Sequence, residues 1–178
     1  EVRPQVNGIV LKRLFTEGSQ VRAGQVLYQI DPSTYRAALA SARATLSKAQ
    51  AAARTARVNA ERNAELVKID AVSRQVAQES EAQALQAQSD VAAAQAAVQA
   101  AQINLNFTDV KAPISGRVNL SSVTPGALVT ANQAGVLTTI VQLDPMYVDF
   151  TQSTAELLGL RRDIEAGRYQ GVSVQTLP

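Results

Sequence analysis

Two periodicities run along this chain. Over residues 33–106, ladder positions recur at alternating spacings of three and four. The first ladder is Tyr35, Leu39, Ala42, Leu46, Ala49, Ala53, Ala56, Ala60, Asn63 and Val67; the second is Ser73, Ala77, Ser80, Ala84, Ala87, Val91, Ala94, Val98, Ala101 and Leu105. A mean spacing of 3.5 residues predicts two helices with one packing stripe each. The ladders mirror each other about Asp70, so Leu39 meets Ala101, Ala42 meets Val98 and Leu46 meets Ala94. Large side chains thus face small ones, as interlocking helices require. The break falls at Lys68-Ile69-Asp70-Ala71-Val72, with Ser73 as N-cap of the return helix and Ser33 as capping candidate for the outgoing one. At ~1.5 Å per residue the arms reach roughly 50 Å.

On both sides of this stretch the pattern changes to short β-branched runs punctuated by Gly and Pro, which predict strands and turns. Pro4-Gln5-Val6-Asn7-Gly8-Ile9-Val10 is similar to Pro113-Ile114-Ser115-Gly116-Arg117-Val118. A second glycine follows ten residues after the first in each copy, Gly18 after Gly8 and Gly126 after Gly116. Each copy closes on an apolar strand and Asp-Pro, at Asp31-Pro32 and Asp144-Pro145. Two similar half-motifs predict one small β-sandwich interrupted by the helical pin. The predicted fold class is therefore α+β and elongated.

Composition narrows the chemistry. The chain has no Cys and no His, which removes the usual zinc sites and every His-dependent nucleophilic mechanism. A net charge of +2 on scattered Lys and Arg does not suggest nucleic acid as a partner. No run approaches the ~18 apolar residues of a membrane span, and no signal peptide is visible. The chain opens in a strand-like pattern and is expected to be a fragment or trimmed form, its export signal or lipid anchor lying elsewhere. Alanine supplies much of the apolar content and aromatics only 4%, so a large compact core is hard to build. The off-seam positions carry Arg43, Arg54, Arg57, Glu61 and Glu65 on one arm and Gln83, Gln88, Gln95, Gln99 and Gln102 on the other, the pattern of an exposed rod rather than of core helices.

A sandwich of two half-motifs resembles the lipoyl or biotinyl carrier domain. The carrier's lysine turn is absent, because the helical insertion replaces it and Lys48 and Lys68 lie within the rod. A lipoyl-like domain split by a coiled-coil hairpin resembles the periplasmic adaptor, or membrane fusion protein, family of tripartite resistance-nodulation-division (RND) efflux pumps, the AcrA/MexA type. The stretches that carry the resemblance are Glu1-Val2-Arg3-Pro4-Gln5-Val6, Leu27-Tyr28-Gln29-Ile30-Asp31-Pro32, Ala112-Pro113-Ile114-Ser115-Gly116-Arg117 and Leu143-Asp144-Pro145-Met146-Tyr147-Val148-Asp149. It implies a first lipoyl-like half at 3–32, the hairpin at 33–106 with its tip near 68–72, a second half at 107–145, and part of a β-barrel domain at 146–178 together with 1–2. Within the last segment, strands are expected over 147–151 and 172–176, with a helix over 155–166.

The resemblance also implies a non-enzymatic function without cofactors or metals, the coupling of an inner-membrane RND transporter to an outer-membrane channel. A periplasmic location, attachment to the inner membrane and self-association into a hexameric ring go with it. The family's tip pattern of Arg, three residues, Leu, six residues, Ser falls on Arg62, Leu66 and Ser73, which become the candidate channel contacts. An arginine offers five donors and an exposed leucine can fill a helical groove. Each also has a plainer reading as a solvated charge, a seam closure and a cap. An adaptor for an ABC-type or type I secretion exporter is the alternative function.

Overall fold

A computed structural model describes residues 1–142 and 154–166. The chain divides into two compact units, Glu1–Leu143 and Asp144–Pro178. In the first unit, strands β1 (Gly8–Arg13), β2 (Gln20–Val21) and β3 (Val26–Ile30) precede helices α1 (Ser33–Lys68) and α2 (Arg74–Asn106). Strands β4 (Asp109–Lys111), β5 (Gly116–Val118), β6 (Leu128–Val129) and β7 (Ile140–Val141) follow. In the second unit the described part is helix α3 (Thr154–Glu165), where a helix was expected. The strands expected at 147–151 and 172–176 lie outside the described residues.

The strands form two antiparallel sheets, one ordered β4-β3-β1-β6 and the other β2-β5-β7. Each sheet takes strands from both sides of the insertion, so neither half can complete a sheet alone. Val10, Leu27 and Ile30 from the first half pack with Val118, Val129 and Leu137 from the second, all at 1% exposure or less. Burial of such side chains stabilises by ~1.5–3 kcal/mol each. Tyr28, also fully buried, stacks edge-on against Phe15 at 5.2 Å and satisfies its hydroxyl with Ser121 Oγ at 2.7 Å and the Leu137 carbonyl at 3.0 Å. Val2, grouped in the sequence with the segment beyond 146, is 4% exposed in this same core and bridges Thr138.

The repeated glycines have matching roles. A methyl group at Gly8 would come within 2.5 Å of Ile30 Cγ2, and one at Gly116 would overlap the Val141 carbonyl. Both sit where strands approach too closely for a side chain. Gly18 (φ +76°) and Gly126 (φ +94°) instead occupy left-handed turns that other residues adopt only with strain.

The helical pin replaces the turn between β3 and β4, which pair with Tyr28 opposite Val110. Its base is tied to the sheet: Ile30 N–H donates to the Thr108 carbonyl at 2.8 Å, Asp31 N–H to Ile9 at 2.9 Å, and Tyr35 hydroxyl to Asn7 at 2.7 Å. Ser33 does not cap α1. Pro32 occupies the cap position without a side-chain bond, and the Asp31 carboxylate accepts from Ser33 N–H at 2.9 Å. The hydrogen bond from that N–H holds the Asp31 carboxyl below the usual carboxylate range.

Along the arms, every ladder position from Tyr35 to Val67 and from Ala77 to Leu105 is buried or partly buried. Ser73 is exposed, since the turn carries it off the seam. Only Leu39 and Ala94 are buried on the two helices. The rod therefore rests on continuous shallow contact and on helix-forming residues rather than on a deep core.

Candidate functional site

The tip is a structured turn. Helix α1 ends with Ala71 N–H bonded to the Leu66 carbonyl at 2.9 Å and Asp70 N–H to the Val67 carbonyl at 3.1 Å. This pair of bonds is a Schellman motif, and its left-handed position is occupied by Asp70 at φ +55° rather than by glycine. Two residues after Ala71, Ser73 opens α2, its Oγ accepting from Val76 N–H at 3.3 Å. Ser73 thus acts as the cap expected from its position, and its side chain remains exposed.

Arg62 and Leu66 lie one helical turn apart on α1. The acidic neighbours of Arg62 are engaged elsewhere: Glu61 pairs with Arg57 and Glu65 with Lys68, each at 2.7 Å. Arg62 makes no ion pair or side-chain hydrogen bond among the described residues, which leaves an exposed guanidinium with all its donors available. Leu66 is partly buried at the end of the seam.

The rod has two lateral grooves. One is lined near the tip by Ala60, Glu61, Ala64, Ala77, Gln78 and Glu81, and its off-seam members each follow a seam position by one. A helix turns 100° per residue, so residues preceding a seam position face the opposite side. Arg62 and Leu66 on α1 are of this kind, and so is Val76 on α2. The fold therefore gathers Arg62, Leu66 and Val76 on one flank. Val76 is 42% exposed, and Ile69 in the turn is 73% exposed. These two apolar side chains were not singled out in the sequence. The available signal was that they are branched apolar residues outside the ladder, in a rod whose other off-seam positions are mostly polar or alanine.

Such a patch can bind but has no group suited to acid–base or nucleophilic chemistry. Among the described residues, no cluster of three potential metal ligands occurs, and no helix is long and apolar enough to cross a membrane.

Comparisons with known proteins place this geometry. The model of the RND MFP barrel-sandwich hybrid domain matches residues 1–141. The chain is 53% identical over 170 residues to the antibiotic efflux pump periplasmic linker protein ArpA of Pseudomonas putida, covering 96% of this chain and 42% of that protein. It is 51% identical over 167 residues to the multidrug efflux pump subunit AcrA of Escherichia coli K12, covering 94% of this chain and 42% of the relative. Among solved structures, it is similar to a MacA–MexA chimera containing the Pseudomonas aeruginosa MexA α-hairpin domain. There the identity is 36% and the TM-score 0.51, with 79% of this chain and 45% of the chimera covered. The chain spans about two fifths of the length of the curated relatives it matches.

Proposed function

Because the chain belongs to the RND membrane fusion protein family, we propose that it is the adaptor part of a tripartite multidrug efflux pump, bridging an inner-membrane RND transporter to an outer-membrane channel. In this reading the protein works in the periplasm, held at the inner membrane by an anchor outside this chain. Several copies form a ring, taken as hexameric, since one thin rod cannot enclose a conduit. The coupling is mechanical: the protein binds and positions its partners and performs no reaction.

The observation that carries the proposal is the tip. An uncommitted Arg62 lies beside Leu66 and exposed Val76 at the end of a rod with arms of 36 and 33 residues. Its guanidinium offers donors to carboxylates or helix C-terminal carbonyls of the channel, while Leu66, Ile69 and Val76 offer apolar area to a groove between channel helices. Ser73 lies within reach of the same surface while capping α2. With lipoyl-like halves at 3–32 and 107–145, a hairpin at 33–106 and a barrel segment at 146–178, the parts divide the work. The split sandwich is the platform and the pin is the reach.

The test is Arg62→Asp in the full-length adaptor. Drug export is expected to fall toward the level seen without adaptor, while helical circular dichroism stays unchanged. Normal export with an intact fold would remove the tip from the mechanism. A photo-crosslinker at position 66 is expected to capture the outer-membrane channel.

A further inference from the structure

The two lateral faces of the rod are not alike, and their differences fit each other. On the face that carries Gln50, Arg54, Arg57, Glu81 and Gln88, Leu85 protrudes at 60% exposure. Arg57 is held by Glu61, whereas Arg54 has no ion pair or side-chain hydrogen bond among the described residues. The opposite face holds a groove of about 300 Å³ walled by Thr45, Lys48, Ala49, Ala52, Ala87 and Asp90. Its floor is alanine, with a cation and an anion on the rim. Asp90 accepts only from Gln86 at 3.2 Å and forms no salt bridge among the described residues.

The axial positions of these groups can be compared through the pairing about Asp70. Leu85 stands level with residue 55 of α1, Gln88 with residue 52 and Asp90 with residue 50. Sliding one rod past a parallel neighbour by four residues, ~6 Å, makes three matches at once. Leu85 drops to the level of the alanine groove, between Ala49 and Ala52. Arg54 comes level with Asp90, and the Gln88 amide carbonyl with Lys48. A single displacement thus seats the apolar protrusion and pairs both charged rim groups.

We propose that this face of the rod docks on the opposite face of a second copy of this chain, with Leu85 in the alanine groove and Arg54 against Asp90. The inference deepens the adaptor reading, on which it rests, by naming the contact that joins neighbours in the ring. The two faces differ, so the contact is heterologous and propagates from copy to copy, closing when the rotation allows. The ~6 Å stagger is taken up in a closed ring by tilting the rods against its axis, as strand stagger is in a β-barrel.

The chain contains no cysteine, which makes disulfide trapping clean. In the full-length adaptor assembled with its transporter in membranes, Leu85→Cys combined with Ala52→Cys should give, on mild oxidation, a ladder of dimers, trimers and larger species. Both positions are exposed. They lie on opposite faces of one rod, beyond the ~7 Å Cα separation a disulfide within the chain tolerates. Neither single-cysteine variant should form a ladder. Adding Arg54→Asp should slow ladder formation about fivefold, and adding Asp90→Arg to that variant should restore it. Two results overturn the proposal. One is absence of a ladder while a crosslinker at Leu66 still captures the channel, which would leave the adaptor reading standing. The other is a dimer from Leu85→Cys alone as abundant as the ladder, which would mean like faces meet. If the ladder forms but position 66 captures no channel, the rod contact stands and the tip reading fails.

Discussion

Replacing Asp70 by glycine should stabilise the end of the rod. Asp70 holds φ +55° at the left-handed position of the turn that closes α1. That conformation costs an ordinary L-residue ~1–2 kcal/mol, and aspartate lies toward the lower end because its side chain tolerates it better. A carboxylate just past a helix C-terminus also opposes the helix dipole by ~0.3–1 kcal/mol. Glycine removes both penalties but returns ~0.5–1 kcal/mol through its freedom in the unfolded chain. The expected net gain is about 0.5–1 kcal/mol. Asp70→Asn removes only the charge and should gain a few tenths, whereas Asp70→Ala keeps the strain without the tolerant side chain and should lose about 1 kcal/mol. The assay is amide hydrogen exchange at Asp70 and Ala71, whose N–H groups bond to Val67 and Leu66. After correction for intrinsic rates, protection should rise a few-fold at Ala71 in Asp70→Gly and fall in Asp70→Ala. If the alanine variant protects the turn as well as glycine does, the strain argument is wrong.

Two further predictions concern the base of the rod and the sandwich core. The Asp31 carboxyl is depressed chiefly by the Ser33 N–H bond; a depressed acid stabilises the fold above its unfolded pKa and loses that contribution as pH falls through the folded value. Protection at the start of α1 should therefore decline below about pH 4, and Asp31→Asn should flatten that decline; an unchanged pH profile would exclude Asp31 as the cause. Burial raises the Tyr28 hydroxyl pKa, partly offset by its bond from Ser121, and Tyr28→Phe deletes the bonds to Ser121 and Leu137. It should cost about 1 kcal/mol, read by denaturant unfolding, and no loss would mean the hydroxyl is not a net stabilising contact.

What could be read from the sequence depended on how far apart the interacting residues lie. The seam was legible from Tyr35 to Leu105 because helix periodicity is local and one pairing satisfies all the large–small matches together. The repeated Gly8/Gly18 and Gly116/Gly126 were visible as a pattern, and their meaning, close strand approach and left-handed turn, needed coordinates. The sheet order was not legible. Strands such as Gln20–Val21 and Leu128–Val129 are two residues long, too short to show a period, and their partners lie about a hundred residues away. At the candidate site, Arg62, Leu66 and Ser73 followed from spacing alone. Val76 and Ile69 did not, because exposure at a turn depends on the direction in which the chain reverses. Ser33 has the composition of a cap but not the position, because Pro32 intervenes and the acceptor is Asp31, one residue further back.

The location of the pin between β3 and β4 also constrains the order in which this protein folds. Were residues between Ile30 and Thr108 a flexible loop, bringing its ends together across about 77 residues would cost ~4 kcal/mol or more in chain entropy. Arms that zip upward from the turn deliver both ends side by side and largely remove that penalty, since the zipping proceeds through contacts close in sequence. The outermost few residues would then govern how fast a β-domain roughly 50 Å away is able to close. A lesion there would appear as slow sandwich formation with the native sandwich unharmed.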